Sequence, residues 1–582
     1  MKYPSLTELR VSRETVDVFK GYNHNLRIND GEFYHMKNMS SSEYPVLSPR
    51  KKRGLYSSPE NPQGLVSKDT LCYVDGSFFV INEFRVDLEL STEPESCPKD
   101  LISMGAYVIV MPDKKYINTA NLSDCGSIDA SITTEGTVTF ELCKLDGEKY
   151  DGMTVGASEP TDPQNTDLWL DTSSIPNVLK QYSKMNAMWV SIATTYIKIS
   201  ATGIGKPFAV NDGVTISGVE NESLSDLNST TIVWGKGDDY IIVTGILNYT
   251  SSQESPITIA RQMPTLDLVI ESGNRLWGCR YGVAVNGEVV NEIYASKLGD
   301  FKNWNCFAGI STDSYAATVG TDGQFTGAIT HLGYPLFFKE NFVHKVYGNY
   351  PANYQIQTTA CRGVQKGCAR SLAIVNEVLY YKSRSAVCAY DGSLPVEISS
   401  ALGEEVYNDA VAGAIGNKYY ISMRDNTGKP HLFVYDTTKG MWHREDETAV
   451  YDFCNCRGEL YFIDALDRKI KTVVAGRHEA ETTNVEWMVE TGIIGMSLPD
   501  KKYISKLDVR ISLDIDARVH FYIQYDSSGA WERVFTMTGT TLCSFAVPVR
   551  PKRCDHLRLR IEGEGEAKIY SICKSIEKGS DM

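Results

Sequence analysis

Two carboxylates on opposite sides of a glycosidic bond can cleave it, one as acid and the other as base or nucleophile. Acidic residues crowd at Gly-Asp-Asp-Tyr (237–240) and at Glu-Gly-Glu-Gly-Glu (562–566). Both segments read as solvated turns, and adjacent residues of a strand face opposite ways, so neither makes a dyad. Of the nine histidines, His331, His344, His431, His443, His520 and His556 fall on strands or turns, without the His-Glu-x-x-His spacing of a zinc site or a paired carboxylate. No nucleophile elbow, P-loop or dinucleotide-binding glycine run occurs. Arg275, Arg280, Arg362 and Arg384 stand singly, which does not make the arginine cluster of a sialidase. Thr-Asp-Pro-Gln-Asn-Thr-Asp (161–167) lacks the spaced carboxylates and glycine of a calcium loop and reads as a polar linker. The fourteen cysteines are scattered singly in apolar runs, as free core thiols are. Cys454 and Cys456 share a strand face but have no further ligands nearby. The expectation is no catalytic residue, no cofactor and no metal, and hence no enzyme.

The strongest charge feature is cationic. Residues 1–55 carry ten Lys and Arg against six Asp and Glu, a net of +4 in a chain of net −15. Four cations stand together at Arg50, Lys51, Lys52 and Arg53. Pro45 and Pro49 forbid helix there, and no aromatics interleave the cations as in a single-strand-binding surface. We expect an extended assembly arm, Tyr44, Pro45, Pro49, Arg50, Lys51, Lys52 and Arg53, that pairs with an acidic surface on another copy or partner. Deleting residues 1–54 is then expected to leave a soluble monomeric propeller that no longer assembles. Residues 131–260 are the acidic counterpart, with seven Lys and Arg against sixteen Asp and Glu. The overall balance argues against tight DNA binding. The N-terminus lacks the apolar core of a signal peptide, and no window reaches the length and apolarity of a membrane span.

Helical periodicity is nearly absent; the best candidate is 172–186, with Ser/Thr caps, Pro176 and apolar Val178, Leu179 and Tyr182. Elsewhere short runs of Val, Ile, Tyr and Phe end in Gly, Asn and Asp, the signature of strands joined by tight turns. These units recur from 71 to about 478, the last three about forty residues apart, which is the period of a four-stranded propeller blade. We count about seven. Turns such as 298–304, 390–395 and 435–442 place Asp and Gly ahead of an aromatic, so that Trp304 and Trp442 can pack between sheets. The fold class is all-β: a β-propeller with an inserted small β-domain and a C-terminal β-sandwich. The expected domains are an N-terminal arm (1–55), the first part of the propeller (56–130), an inserted β-rich domain (131–261), the second part of the propeller (262–478) and a β-sandwich (479–582).

Certain residues carry a resemblance. Gly31, Met36, Asn38, Met39, Tyr44, Pro45, Leu47, Arg50 and Arg53 match the opening of propeller-type tail proteins of tailed bacteriophages, the hub or nozzle and packaged-DNA stabilisation proteins. The blade at 274–304 and the ending 547–572 are similar to theirs as well. The resemblance covers roughly three quarters of the chain by blade count and leaves the 131–261 insertion outside the common core. It implies a virion structural protein made in the host bacterial cytoplasm and present in the tail as a homohexameric ring below the portal and adaptor. Its partners would be other tail proteins, with DNA passing and no sequence-specific contact or membrane insertion. An acidic wall would let phosphates slide. Two other readings stand beside it. One is a receptor- or glycan-binding tail protein, with the insertion or the C-terminal sandwich as its binding face. The other is a propeller glycoside hydrolase.

Overall fold

A computed structural model describes residues 11–92, 98–284, 287–496 and 501–578. Among these, seven antiparallel blade-like units succeed one another along the chain, five as separate four-stranded sheets, the sixth as part of a larger sheet and the seventh in a five-stranded one. Their first strands are Pro62–Ser67, Asp100–Met104, Leu268–Ser272, Gly327–His331, Ala373–Val375, Asn408–Ile415 and Val450–Cys456. Each packs beside the next, the 3-10 turn Ala369–Ser371 bridging the fourth to the fifth, and the seventh returns to the first. The result is a closed β-propeller. A twisted four-stranded sheet cannot bury both its faces alone, and radial packing against two neighbours does so. Apolar clusters accordingly lie between blades, as where Ile109, Leu276, Phe301 and Trp304 meet between the second and third. Trp304 and Trp442 are buried as expected, their indole N–H groups donating to the Phe301 and Ile398 carbonyls at 2.9 and 2.7 Å.

The seventh blade is completed from the other end of the chain. Its three strands Val450–Cys456, Glu459–Asp464 and Ile470–Thr472 take Gly54–Ser57 as their fourth. This join closes the ring non-covalently, because the ring opens only if that ladder breaks.

A separate module interrupts the propeller between the second and third blades. Ala130–Thr133 pairs antiparallel with Thr258–Arg261, so the chain leaves and re-enters the propeller at one place. Between them two sheets enclose an apolar core that includes Phe140, Ile199, Val214 and Ile241. Asp212 bolts this module to the third blade: it is buried, pairs with Arg261, and accepts from Asn303 Nδ2 at 2.9 Å. A third, smaller sheet comprises Thr154–Gly156, Leu168–Asp171, Val178–Ser183 and Met188–Ser191. The helix expected over 172–186 is therefore a strand. Val178, Lys180 and Tyr182 alternate with Leu179 and Gln181 across two hairpins, and that two-residue period prevails over the capping pattern.

The N-terminal residues are not a free arm. Val11–Val16 pairs with Ala567–Lys578, and Glu32–Lys37 pairs with Glu486–Thr491, both antiparallel. Gly21–Tyr22 bridges Glu32–Lys37 to Met441–Arg444 of the sixth blade. One sheet thus runs from the C-terminal module through the N-terminal strands into the propeller. The C-terminal module folds over a strand of unusual length, Lys502–Tyr525, whose first half pairs with Ala567–Lys578 and second half with Leu557–Glu564. Its alternating Val509, Ile511, Val519, Phe521 and Ile523 face the core. The module expected over 479–582 is completed by strands from 1–55, so those two segments are one unit. Deleting residues 1–54 would strip three strands from it, and the expected monomeric propeller does not follow. Among the described residues no helix is long and apolar enough to cross a membrane.

Candidate functional site

The first strands of the blades converge on the propeller axis, where a cavity of about 480 Å³ opens, a volume typical of small-ligand pockets. Its polar lining comes from blades far apart in sequence: Lys99 and Asp100 at the second, Glu271 on the third, Arg370 ahead of the fifth and Asp452 on the seventh. Arg370 spans the site. Its Nη2 reaches Asp100 Oδ1 at 2.8 Å and the Lys99 carbonyl at 3.0 Å, and its Nη1 lies 3.5 Å from Asp452 Oδ1. Asp452 Oδ2 also accepts the Leu65 N–H at 2.8 Å. Lys99, 2% exposed, donates to Asp113 Oδ2 and Ser91 Oγ at 2.7 Å each. Glu271 caps its own turn by accepting the Asn274 N–H at 2.9 Å.

The carboxyls at the axis differ in environment. Burial raises Asp452 above the ordinary carboxyl value, and Arg370 only partly offsets it. Burial acts the same way on Asp113, but Lys99 and Ser91 outweigh it and hold the group below its ordinary value. Asp100 is half exposed beside the same guanidinium. The cavity therefore juxtaposes a buried carboxyl raised above its ordinary value, a half-exposed one and a guanidinium that bridges them. That combination can bind a polyhydroxylated or anionic group. Asp100, Arg370 and Asp452 were not singled out in the sequence: each stands alone in its segment, and only ring closure brings them together. Their one shared signal is position, at or just before a blade's first strand.

The structure distributes the expected arm residues differently from an extended strap. Arg50 and Arg53 turn inward. Arg53 Nη2 lies 2.7 Å from Glu445 Oε2, and its Nη1 donates to Asp446 Oδ2 and Thr448 Oγ1 at 2.8 Å each. Arg50 donates to Asn38 Oδ1 at 2.8 Å and Glu481 Oε2 at 3.1 Å. Both guanidiniums are buried. Burial opposes the charged forms, yet the two arginines and Thr448 hold Asp446 at about 2. These cations are neutralised within their own chain and are not free to pair with another copy. Pro49 sits in a short ladder with Met39, and the Lys52 carbonyl accepts the Ala475 N–H at 2.8 Å. Tyr44, Pro45 and Lys51 stay at the surface, with the Lys439 ammonium 5.0 Å from the Tyr44 ring centre.

The remaining sequence candidates stay apart. His331 hydrogen-bonds the Glu377 carbonyl at 2.7 Å, His344 sits between two threonine hydroxyls, and His431 lies between Asp425 and Arg444. Arg275 is buried and donates to the Ser296 and Ser311 carbonyls at 2.8 and 2.9 Å, so it braces the third blade. Arg362 pairs at the surface with Glu397. Asp167 accepts the Gln164 N–H at 2.7 Å, closing the turn expected at 161–167. The described cysteines are free thiols, most of them buried.

No family model matches the chain, and no curated protein does. Several solved structures are similar to it at low identity and low TM-score. An exo-β-1,3-galactanase from Phanerochaete chrysosporium is 8% identical, with 53% of this chain and 94% of that one covered at a TM-score of 0.22. A family 43 glycoside hydrolase engineered for endo-xylanase and exo-arabinofuranosidase activity is also 8% identical, with 54% and 96% covered at 0.21. AztD from Citrobacter koseri is 9% identical, with 74% and 93% covered at 0.27. Values this low assign no activity here. The hydrolases nonetheless overturn the expectation that this chain is not an enzyme, because enzymes stand among the propellers it is similar to and inertness no longer follows from its architecture.

Proposed function

We propose that this chain is a structural component of a bacteriophage tail, a hub or nozzle subunit of a ring around the ejection channel. The observation that carries this reading is the joint beneath the residues of the resemblance. Met36, Asn38, Met39, Leu47, Arg50 and Arg53 lie where the propeller, the N-terminal strands and the C-terminal module meet. There a continuous sheet and a buried ion-pair network tie the modules into one unit, which suits a part that must transmit load. Imaging of the intact phage particle tests the reading: density for this propeller as a ring in the tail is expected, and its absence from purified particles would refute it.

One observation favours a second reading, cleavage of a glycosidic bond at the axis. Two carboxyls from different blades, buried Asp452 and half-exposed Asp100, lie on the same Arg370 guanidinium in the cavity. In this reading Asp452 donates the proton to the leaving oxygen and Asp100 assists water or the sugar carbon. The full chain would be assayed for released sugar on β-1,3-galactan, xylan and arabinan. Turnover abolished by Asp452→Asn supports this reading, and no release from any of them removes it.

A further inference from the structure

We propose that the small sheet of the insertion, residues 154–191, is a binding face for a neutral polysaccharide chain. The ladder assigns its two faces. Trp169 is opposite Lys180, and Tyr182 is opposite Trp189, so these four side chains share one face. Leu170 and Leu179 point the other way and bury against Leu142, with Ile246 beside them. The leucine face is therefore turned toward the body of the insertion, and the aromatic face is turned away from it.

On that outer face the Trp189 ring lies 5.5 Å from Trp169 and 5.3 Å from Tyr182, edge to face in both cases. Trp169 is buried beneath its neighbours, and its N–H donates to the Gly156 carbonyl at 2.9 Å. Tyr182 and Trp189 remain half-buried. The Lys180 ammonium sits 4.7 Å over the Trp169 ring and 2.8 Å from Asp171 Oδ2. Trp189 Nε1 is buried and has no hydrogen-bond partner among the described residues. Ile175 and Met185, in the turns at either end of Val178–Ser183, are almost fully exposed.

This combination matches a pyranose. A sugar ring offers C–H bonds to an aromatic plane and hydroxyls to flanking polar groups, here the Lys180–Asp171 pair. The charge selects among glycans. The segment 131–260 carries a net of −9, which repels uronates, phosphates and nucleic acid. An apolar lipid surface would have to desolvate the Lys180–Asp171 pair. The inference goes beyond the assembly reading and stands or falls independently of whether the chain occurs in a tail.

The test is affinity electrophoresis of the full-length chain through gels containing glycol chitin, hydroxyethyl cellulose, xylan or soluble β-glucan, with polygalacturonate as the anionic comparison. At least one neutral polymer is expected to retard the protein and polygalacturonate is not. Trp189→Ala and Tyr182→Ala should each weaken binding tenfold or more, and Trp189→Phe less than threefold. Lys180→Met keeps the stem over Trp169 and should weaken binding severalfold, so the proposal remains testable if an alanine variant unfolds the sheet. Tyr249→Ala, an exposed aromatic elsewhere on the insertion, should change nothing. Retardation by no neutral polymer, retardation by polygalacturonate alone, or wild-type affinity in both Trp189→Ala and Lys180→Met would overturn the proposal.

Discussion

Arg53→Met is the sharpest probe of how this chain holds itself together. The guanidinium is 5% exposed and contacts Glu445, which is 4% exposed, and Asp446, which is 18% exposed. Removing one partner of a buried pair leaves the other charge without compensation, at a cost of about 3–5 kcal/mol. Arg50 partly compensates, because its Nε and Nη2 already lie 3.9 Å from Glu445 and 3.7 Å from Asp446. The lower end, about 3 kcal/mol, is therefore expected. A chain of 582 residues with several modules does not unfold in one step, so a single global midpoint would blur the effect. Amide exchange at Gly54–Ser57, the strand that closes the ring, reads the loss locally. About 3 kcal/mol corresponds to exchange roughly a hundredfold faster there. The double variant Arg53→Met/Glu445→Gln removes the stranded charge and should recover much of the loss, as a coupling energy of about 1–2 kcal/mol. Exchange that changes less than threefold in the single variant, or strict additivity in the double, would show that the network does not hold the closing strand.

The same network sets an acid limit. Asp446 sits at about 2 in the folded chain against about 3.9 when unfolded, so its stabilisation is complete above pH 4 and lost as pH falls toward 2. The loss amounts to about 2 kcal/mol; urea midpoints between pH 5 and 2 should show it, and Asp446→Asn should flatten that part of the profile. At the axis, Arg370→Met strands buried Asp452 and should destabilise by about 3 kcal/mol, whereas Arg370→Met/Asp452→Asn should lose less, as measured by thermal unfolding. Gly363→Ala would drive a methyl into the Lys339 carbonyl oxygen, while a methyl at Gly320 meets nothing within 4 Å among the described residues. The first should cost at least about 2 kcal/mol and the second should be near neutral by the same measurement. The Cys279 thiol is raised by burial above its ordinary value, so it should react with a thiol reagent only after denaturant is added.

What was legible in the sequence was local. Strand and turn alternate within each blade, so Asp391 and Asp436, which accept N–H bonds from Ser393 and from Thr438 and Lys439, announce their hairpins from within a few residues. The insertion interrupts the blade period at two points, and the ladder Ala130–Thr133 with Thr258–Arg261 brings those points together. Long-range pairing was not legible. Alternation at Glu32–Lys37 announces a strand but not that Met36 pairs with Val489, since a strand pattern names no partner edge. The cations of 50–53 were conspicuous as charge, yet Glu445, Asp446 and Glu481 lie about four hundred residues away. The axial set is harder still, because Asp100, Arg370 and Asp452 form a group only in a closed ring.

The two ends of the chain therefore do more than flank the propeller. Gly54–Ser57 supplies the last strand of the seventh blade, while the strands before it complete the C-terminal module and reach the sixth blade through Tyr22 and Trp442. A force on the C-terminal module passes through backbone ladders into the sixth blade, and the Arg50 and Arg53 network carries it to the seventh. A propeller closed only by packing would yield at its weakest blade junction. The module attaches at the sixth blade and the ring closes in the seventh, and the Arg50 and Arg53 network lies between the two. That network explains why a cationic segment that looks made for a neighbour is buried in its own chain.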